Sequence, residues 1–199
     1  MFIGKNLTQT KNYRIADFGK TQSRVQKKLK HPDASIHPNV FNLSSGKYTK
    51  SHTIQVSKTI RAPLRFVYDW CTDYRESDPK ITGSKSRRKI LLKNNHRVVY
   101  VVNYRSRGKP KSAVDVVTLY PPKAWHLDFT GDEDDEVGDY VLTSLGPRKT
   151  RLDMKFKEHY KISRAPTKAQ DVKGTHEVWD KYVAELERDY ARKNTRQKS

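Results

Sequence analysis

Ile60-Arg61-Ala62-Pro63-Leu64-Arg65-Phe66-Val67-Tyr68-Asp69-Trp70 is the stretch on which the fold turns. Just upstream, Thr53-Ile54-Gln55-Val56-Ser57-Lys58-Thr59-Ile60 alternates, the period of a strand with one buried face. Ala62-Pro63 then opens a short helix, with Pro at a first-turn position where its missing N–H costs nothing. Phe66, Val67, Trp70 and Cys71 fall on one face of that helix. Residues 73–79 read as a second short, turn-like helical piece.

Further along the chain, strand candidates follow at residues 86–93, 96–105, 112–120, 124–130, 138–145 and 149–160. The joints carry turn chemistry: Asn94-Asn95, Gly108-Lys109-Pro110, Pro121-Pro122, Gly131 to Gly138, and Gly146-Pro147. Connections of hairpin length imply an antiparallel sheet. From Lys168 the period changes to that of a helix, with apolar residues at Val172, Trp179, Val183, Leu186 and Tyr190.

One strand, two short helices, six strands and a long C-terminal helix is the element order of the helix-grip fold of the START-like superfamily, also called SRPBCC or polyketide cyclase-like, which this chain resembles. The stretch quoted above looks like that family's first strand passing into its first helix. Gly138-Asp139-Tyr140-Val141-Leu142 with Lys149-Thr150-Arg151-Leu152 looks like its late hairpin, and Trp179-Asp180-Lys181-Tyr182-Val183-Ala184-Glu185-Leu186-Glu187 like its closing helix. The resemblance covers residues 53–190. It implies an α+β domain whose curved antiparallel sheet of about seven strands wraps the C-terminal helix around a cavity. The family holds lipid carriers, aromatase/cyclases, receptors and chaperone co-factors, so the resemblance specifies fold more than function.

Outside that domain the composition shifts. Residues 1–52 hold ten Lys or Arg against two acids, and their apolar residues never settle into a period of 2 or 3.6. Such a segment cannot offset its ordering entropy alone and is expected to be a basic extension, disordered unless bound. Residues 191–199 form a basic tail with four cations and no acid. The whole chain of 199 residues carries a formal charge of +19, which points to a polyanionic partner. It has no apolar run of the length that a membrane helix needs, its first residues lack the apolar stretch of a secretory signal, and its one cysteine, Cys71, fits a reducing compartment. A cytoplasmic location is expected.

Strand alternation assigns the two faces of the sheet. Ile90, Leu92, Trp125, Leu127, Phe129, Leu152, Met154 and Phe156 fall inward, opposite Trp179 and Val183 of the long helix, and are the expected cavity lining. The outer face is expected to be polar and basic, with Lys85, Arg87, Arg88 and Lys89 in one cluster and Arg105, Arg107, Lys109 and Lys111 in another. Together with Lys5, Lys11, Arg14, Lys20, Arg24, Lys27, Lys28 and Lys30 of the extension and Arg192, Lys193, Arg196 and Lys198 of the tail, these are candidate RNA-phosphate contacts.

Chemistry is sparse. No histidine has zinc-ligand company, and there is no phosphate-cradling glycine loop, so neither metal nor cofactor is expected. Cys71 has no base beside it. Glu158 is the one acid noted in phase with Leu152, Met154 and Phe156, and Asp132-Glu133-Asp134-Asp135-Glu136 reads as an acidic turn whose sixth position is Val137 rather than a calcium loop's glycine. The leading expectation is a non-enzymatic, RNA-binding accessory protein with ribosomal RNA and neighbouring proteins as partners. The alternative is a carrier or binder of a hydrophobic small molecule or lipid in the helix-grip cavity. A cyclase-like enzyme ranks last, because no acid/base set is visible.

Overall fold

A computed structural model describes residues 48–196. Lys5, Lys11, Arg14, Lys20, Arg24, Lys27, Lys28, Lys30 and Lys198 lie outside the described residues. The alternating stretch forms β1 (Lys50–Ile60). Pro63, held at φ −63°, caps α1 (Leu64–Cys71), which buries Val67 and Tyr68. The second helical piece is shorter than expected: a single 3₁₀ turn at Asp78–Lys80. Six strands follow, β2 (Arg87–Lys93), β3 (Arg97–Ser106), β4 (Lys109–Tyr120), β5 (Ala124–Gly131), β6 (Asp134–Gly146) and β7 (Lys149–Tyr160), and then α2 (Lys168–Arg196), 29 residues long.

All seven strands join one antiparallel sheet in the order β1-β7-β6-β5-β4-β3-β2. Sequential strands pair as hairpins, and only β1 departs from chain order to close the far edge against β7. The β3–β4 hairpin turns on Arg107 and Gly108, both at positive φ (51° and 76°), the geometry that suits a two-residue hairpin loop.

The core lies between the concave face of the sheet, α1 and α2. Ile54, Val56, Val98, Val102, Val117, Trp125, Leu127, Phe129, Tyr140, Leu142, Leu152, Met154 and Phe156 point into it, and α2 meets them with Trp179 and Leu186. Polar clasps fix the grip. Asp171, in the first turn of α2, accepts hydrogen bonds from His52 (2.5 Å) and Tyr160 (2.7 Å), Lys58 pairs with Asp180, Arg61 pairs with Glu187 at 2.7 Å, and Trp70 donates from Nε1 to Asp189 at 2.8 Å. Gly138 sits where a Cβ would come within 2.8 Å of the Phe156 ring, so the aromatic ring occupies the space that the missing side chain leaves.

Two expectations about faces are corrected. Ile90 pairs with Tyr100 but Leu92 pairs with Val99, because a bulge inserts Leu91 between them. Leu92 therefore shares the outer side with Val99, not the cavity. Val99 and Val101 are themselves only 2% and 3% exposed, so the outer face is not uniformly polar. The acidic run is also not all turn: Asp134, Asp135 and Glu136 belong to β6, leaving Asp132 and Glu133 as the connection.

Candidate functional site

The alternation that packs the core also carries ionisable groups inward. In β2, Arg88 is two residues from Ile90 and pairs with Val102, a core residue. In β4, Asp115 lies between Ala113 and Val117, both buried, and pairs with Tyr100 of β3. In β6, Glu136 precedes Gly138 and Tyr140 in phase, and it pairs with Phe129 on one side and Glu158 on the other. A register row of the concave face thus runs Tyr100, Asp115, Phe129, Glu136, Glu158, His52 across six strands.

Near β2 to β4 this face does not close on the helix. A cavity of about 120 Å³ remains. The sheet lines it with Arg88, Tyr100, Asp115, Trp125, Leu127, Phe129 and Tyr140, α2 with Val178, Trp179 and Tyr182, the end of α1 with Cys71, and the connection from α1 to β2 with Tyr74, Asp78 and Thr82. Arg88 is the centre of its polar side. Its guanidinium donates to Asp78 Oδ2 at 2.7 Å and to the Arg75 carbonyl at 3.2 Å, while Arg75 donates from Nε to the other Asp78 oxygen at 2.9 Å. The Arg88 and Asp78 side chains are only 12% and 11% exposed, so this is a buried, hydrogen-bonded ion pair. The same guanidinium lies over the Tyr100 ring at 4.4 Å and near the Tyr74 ring at 5.7 Å. Tyr74 holds φ 41°, a left-handed backbone that a bulky residue rarely adopts, and its ring packs 5.5 Å from that of Tyr100.

Burial sets the protonation of the other groups. It pushes the Asp115 carboxyl up to about 7, against the nearby charge of Arg88 and a hydrogen bond from Tyr100. It pushes the Cys71 thiol up to about 12, which leaves that residue a poor nucleophile at neutral pH. Glu158 is driven strongly upward by burial and by the neighbouring Glu136. Opposite walls of the cavity are aromatic, with Trp125 and Tyr140 stacked at 4.8 Å and Trp179 5.6 Å from Tyr182.

Of the residues expected to line the cavity, Trp125, Leu127, Phe129 and Trp179 do so. Leu152, Met154 and Phe156 are buried in the filled part of the core, Ile90 and Val183 pack against it, and Leu92 lies beyond the bulge. Of the candidate phosphate contacts, Arg88 turns inward. Lys111 pairs with Tyr104 on the concave side at the sheet's end, 3.8 Å from Glu133. Lys85, Arg87, Lys89, Arg107 and Lys109 are exposed, and Arg105 is half-buried; they lie just before and along β2, in β3 and at the β3–β4 hairpin. On α2, Arg192 pairs with Glu185 and Asp189, Lys193 lies 5.2 Å over the Phe66 ring, and Arg196 is the last residue. Sequence reasoning put Arg88 on the outer face rather than in the cavity, and missed Asp115, Tyr74 and Tyr100 as site residues. Among the described residues, no cluster of His, Cys, Asp and Glu is placed to hold a metal ion.

No protein-family model matches this chain, and no curated protein sequence matches it. Solved structures do match by fold. The Zhui aromatase/cyclase from Streptomyces sp. R1128 superposes with a TM-score of 0.55 at 15% identity, covering 70% of this chain and 95% of that one. A START superfamily protein from Mycobacterium smegmatis gives 0.52 at 17% identity, covering 71% and 98%. Major latex-like protein 151 from Panax ginseng gives 0.52 at 10% identity, covering 68% and 97%. At these identities the likeness is one of fold.

Proposed function

From a START-like helix-grip fold whose grip encloses a charged, aromatic-walled cavity, we propose that this protein binds a small molecule between the sheet and α2. The observation that carries the reading is the Arg88–Asp78 pair: an ion pair drawn into the interior is a weak source of stability, and here it faces a space left unfilled. The cavity is well below the roughly 300 Å³ of a typical ligand pocket. A long-chain lipid therefore does not fit it as it stands, and the apolar-carrier expectation narrows to a compact ligand. Binding rather than turnover is favoured because the thiol on the wall, Cys71, is held protonated. Native mass spectrometry of the purified full chain, followed by thermal-shift screening with small polar and apolar fragments, tests the reading. A co-purifying or stabilising small molecule is expected. Absence of both would overturn it.

A second reading, RNA association in a cytoplasmic, ribosome-linked setting, is favoured by a separate observation. Lys85, Arg87, Lys89, Arg105, Arg107 and Lys109 gather on β2, β3 and the β3–β4 hairpin in a chain of net charge +19. Among the described residues no helix is long and apolar enough to cross a membrane. Sedimentation with ribosomes across a salt series should show retention that falls steeply with salt. A protein that stays in the supernatant at low salt does not have this function.

A further inference from the structure

The connection between α1 and β2 forms one side of the cavity and is tied down differently from the rest of the fold. Tyr74, Asp78, Pro79 and Thr82 line the space beneath it. Its backbone hydrogen bonds close on itself: the Lys80 N–H donates to the Ser77 carbonyl, Ile81 to Asp78, Gly83 to Lys80 and Ser84 to Pro79. Among the described residues no backbone bond joins it to the sheet or to α2. Its ties to the body of the protein run through side chains instead. Asp78 takes Arg88 at 2.7 Å, Glu76 accepts from the Ile90 N–H of β2 at 3.3 Å, Asp73 pairs with Lys93 at 2.8 Å, and the Thr82 carbonyl accepts from Lys181 of α2 at 3.1 Å. Residues 75–82 are bracketed by left-handed backbone, Tyr74 at φ 41° and Gly83 at φ 75°. A Cβ at Gly83 would meet nothing within 4 Å, so no packing holds the chain there. Few-residue breaks of this kind, on either side of a piece with its own internal turn, are where a chain absorbs a hinge motion. The Arg88–Asp78 pair suits a latch. Burying it costs desolvation that its attraction does little more than offset, and opening returns Asp78 to water while water reaches Arg88. The pair therefore fixes where the segment closes without making closure hard to undo.

We propose that residues 75–82 form a strap that swings on Tyr74 and Gly83 to open the cavity, with Asp78 on Arg88 as its latch. This rests on the reading that the cavity binds a small molecule, and it names how that site is entered and how a ligand larger than the closed space of about 120 Å³ is admitted. Cys71 supplies a reporter. It is the chain's one cysteine, it lies at the end of α1 on the cavity wall, and Asp78 and Arg75 of the strap act on its thiol.

The test is labelling of the full chain at pH 8 with N-(1-pyrenyl)maleimide, a neutral thiol reagent larger than the closed cavity, in a series of low urea concentrations. Below the unfolding transition Cys71 should react at a rate nearly independent of urea, because a local opening exposes little surface. Asp78→Asn leaves Arg88 without its counter-charge in the closed state and should speed labelling about tenfold or more. Lys181→Met removes a tie at the exposed surface and should speed it about two- to fivefold, and it stays informative if Asp78→Asn does not fold. Arg151→Gln, which loses a pair on the outer face of β7, should leave the rate unchanged. A rate that climbs with urea as steeply as global unfolding does, or one that neither Asp78→Asn nor Lys181→Met moves, overturns the strap, and the cavity reading survives it if a small molecule co-purifies. If Cys71 labels by local opening and no small molecule co-purifies with the chain or stabilises it, the strap stands and the binding reading falls.

Discussion

The concave face has two halves built by the same strand alternation and used differently. Below β1, β6 and β7, the grip closes on Ile54, Val56, Leu142, Leu152, Met154 and Phe156, each at 3% exposure or less. Below β2, β3 and β4, the inward positions include Arg88, Tyr100 and Asp115, and a cavity of about 120 Å³ remains. Close packing and unfilled space thus fall to different parts of one sheet. The apolar half can carry the folding free energy because its side chains interdigitate without polar demands. The other half can hold a buried guanidinium because Asp78, the Arg75 carbonyl and two tyrosine rings surround it.

Breaking the filled half should give the largest effect. Phe156 is 2% exposed, meets the Tyr140 ring edge-on at 5.3 Å, and fills the gap beside Gly138. Phe156→Ala should cost about 3–5 kcal/mol in urea unfolding, the transfer loss plus an uncollapsed void. A loss below about 1 kcal/mol would mean that this half is not close-packed and that the contrast with the cavity half is false.

A middle-sized effect should come from the open half. Asp115 has its carboxyl raised from 3.8 to about 7, so the folded protein keeps a proton that the unfolded chain releases. Stability should therefore fall as pH rises from about 4 to about 7 and stay reduced above that. Asp115→Asn removes this titration. Relative to the parent it should gain about 1–3 kcal/mol between pH 5 and pH 8, read from urea midpoints at the two pH values. Parallel pH profiles for parent and variant would show that Asp115 is not held protonated.

Much of this contrast lay within reach of the sequence, and parts did not. The filled half was legible because Leu152, Met154 and Phe156 alternate cleanly, and so was the apolar wall of the cavity formed by Trp125, Leu127 and Phe129. So was the closing helix, from the spacing of Trp179, Val183 and Leu186. The open half was masked by its own chemistry. Arg88 stands in a run of cations that reads as one solvated face, although its two-residue offset from Ile90 already pointed it inward. Asp115 is likewise in phase with Ala113 and Val117, an acid at a core position. Leu92 could not have been placed, since nothing in Lys89-Ile90-Leu91-Leu92 marks the bulge, which depends on how β2 meets β3. Asp78 and Tyr74 come from a connection with no period at all, and only tertiary packing brings them to Arg88.

The smallest expected effect sharpens the comparison from the other side of the sheet. His126 of β5 points away from the cavity, with its side chain 13% exposed, and lies 2.7 Å from Asp139 and 3.4 Å from Asp128. Hydrogen bonding to Asp128, opposed by burial and aided by Asp139, raises it from 6.5 to about 9. For a raised histidine the stabilisation is complete below 6.5 and is lost as pH climbs through 9, a window above that of Asp115. Because Asp139 is well exposed, the screened worth of the cluster is about 1 kcal/mol. His126→Gln should lower stability by that amount at pH 6 and leave it unchanged at pH 9.5, read from urea midpoints at the two pH values. If His126→Gln instead altered the pH dependence between 4 and 7, the two faces would be electrostatically coupled through β5, and the separate roles given to the inner and outer faces would have to be merged.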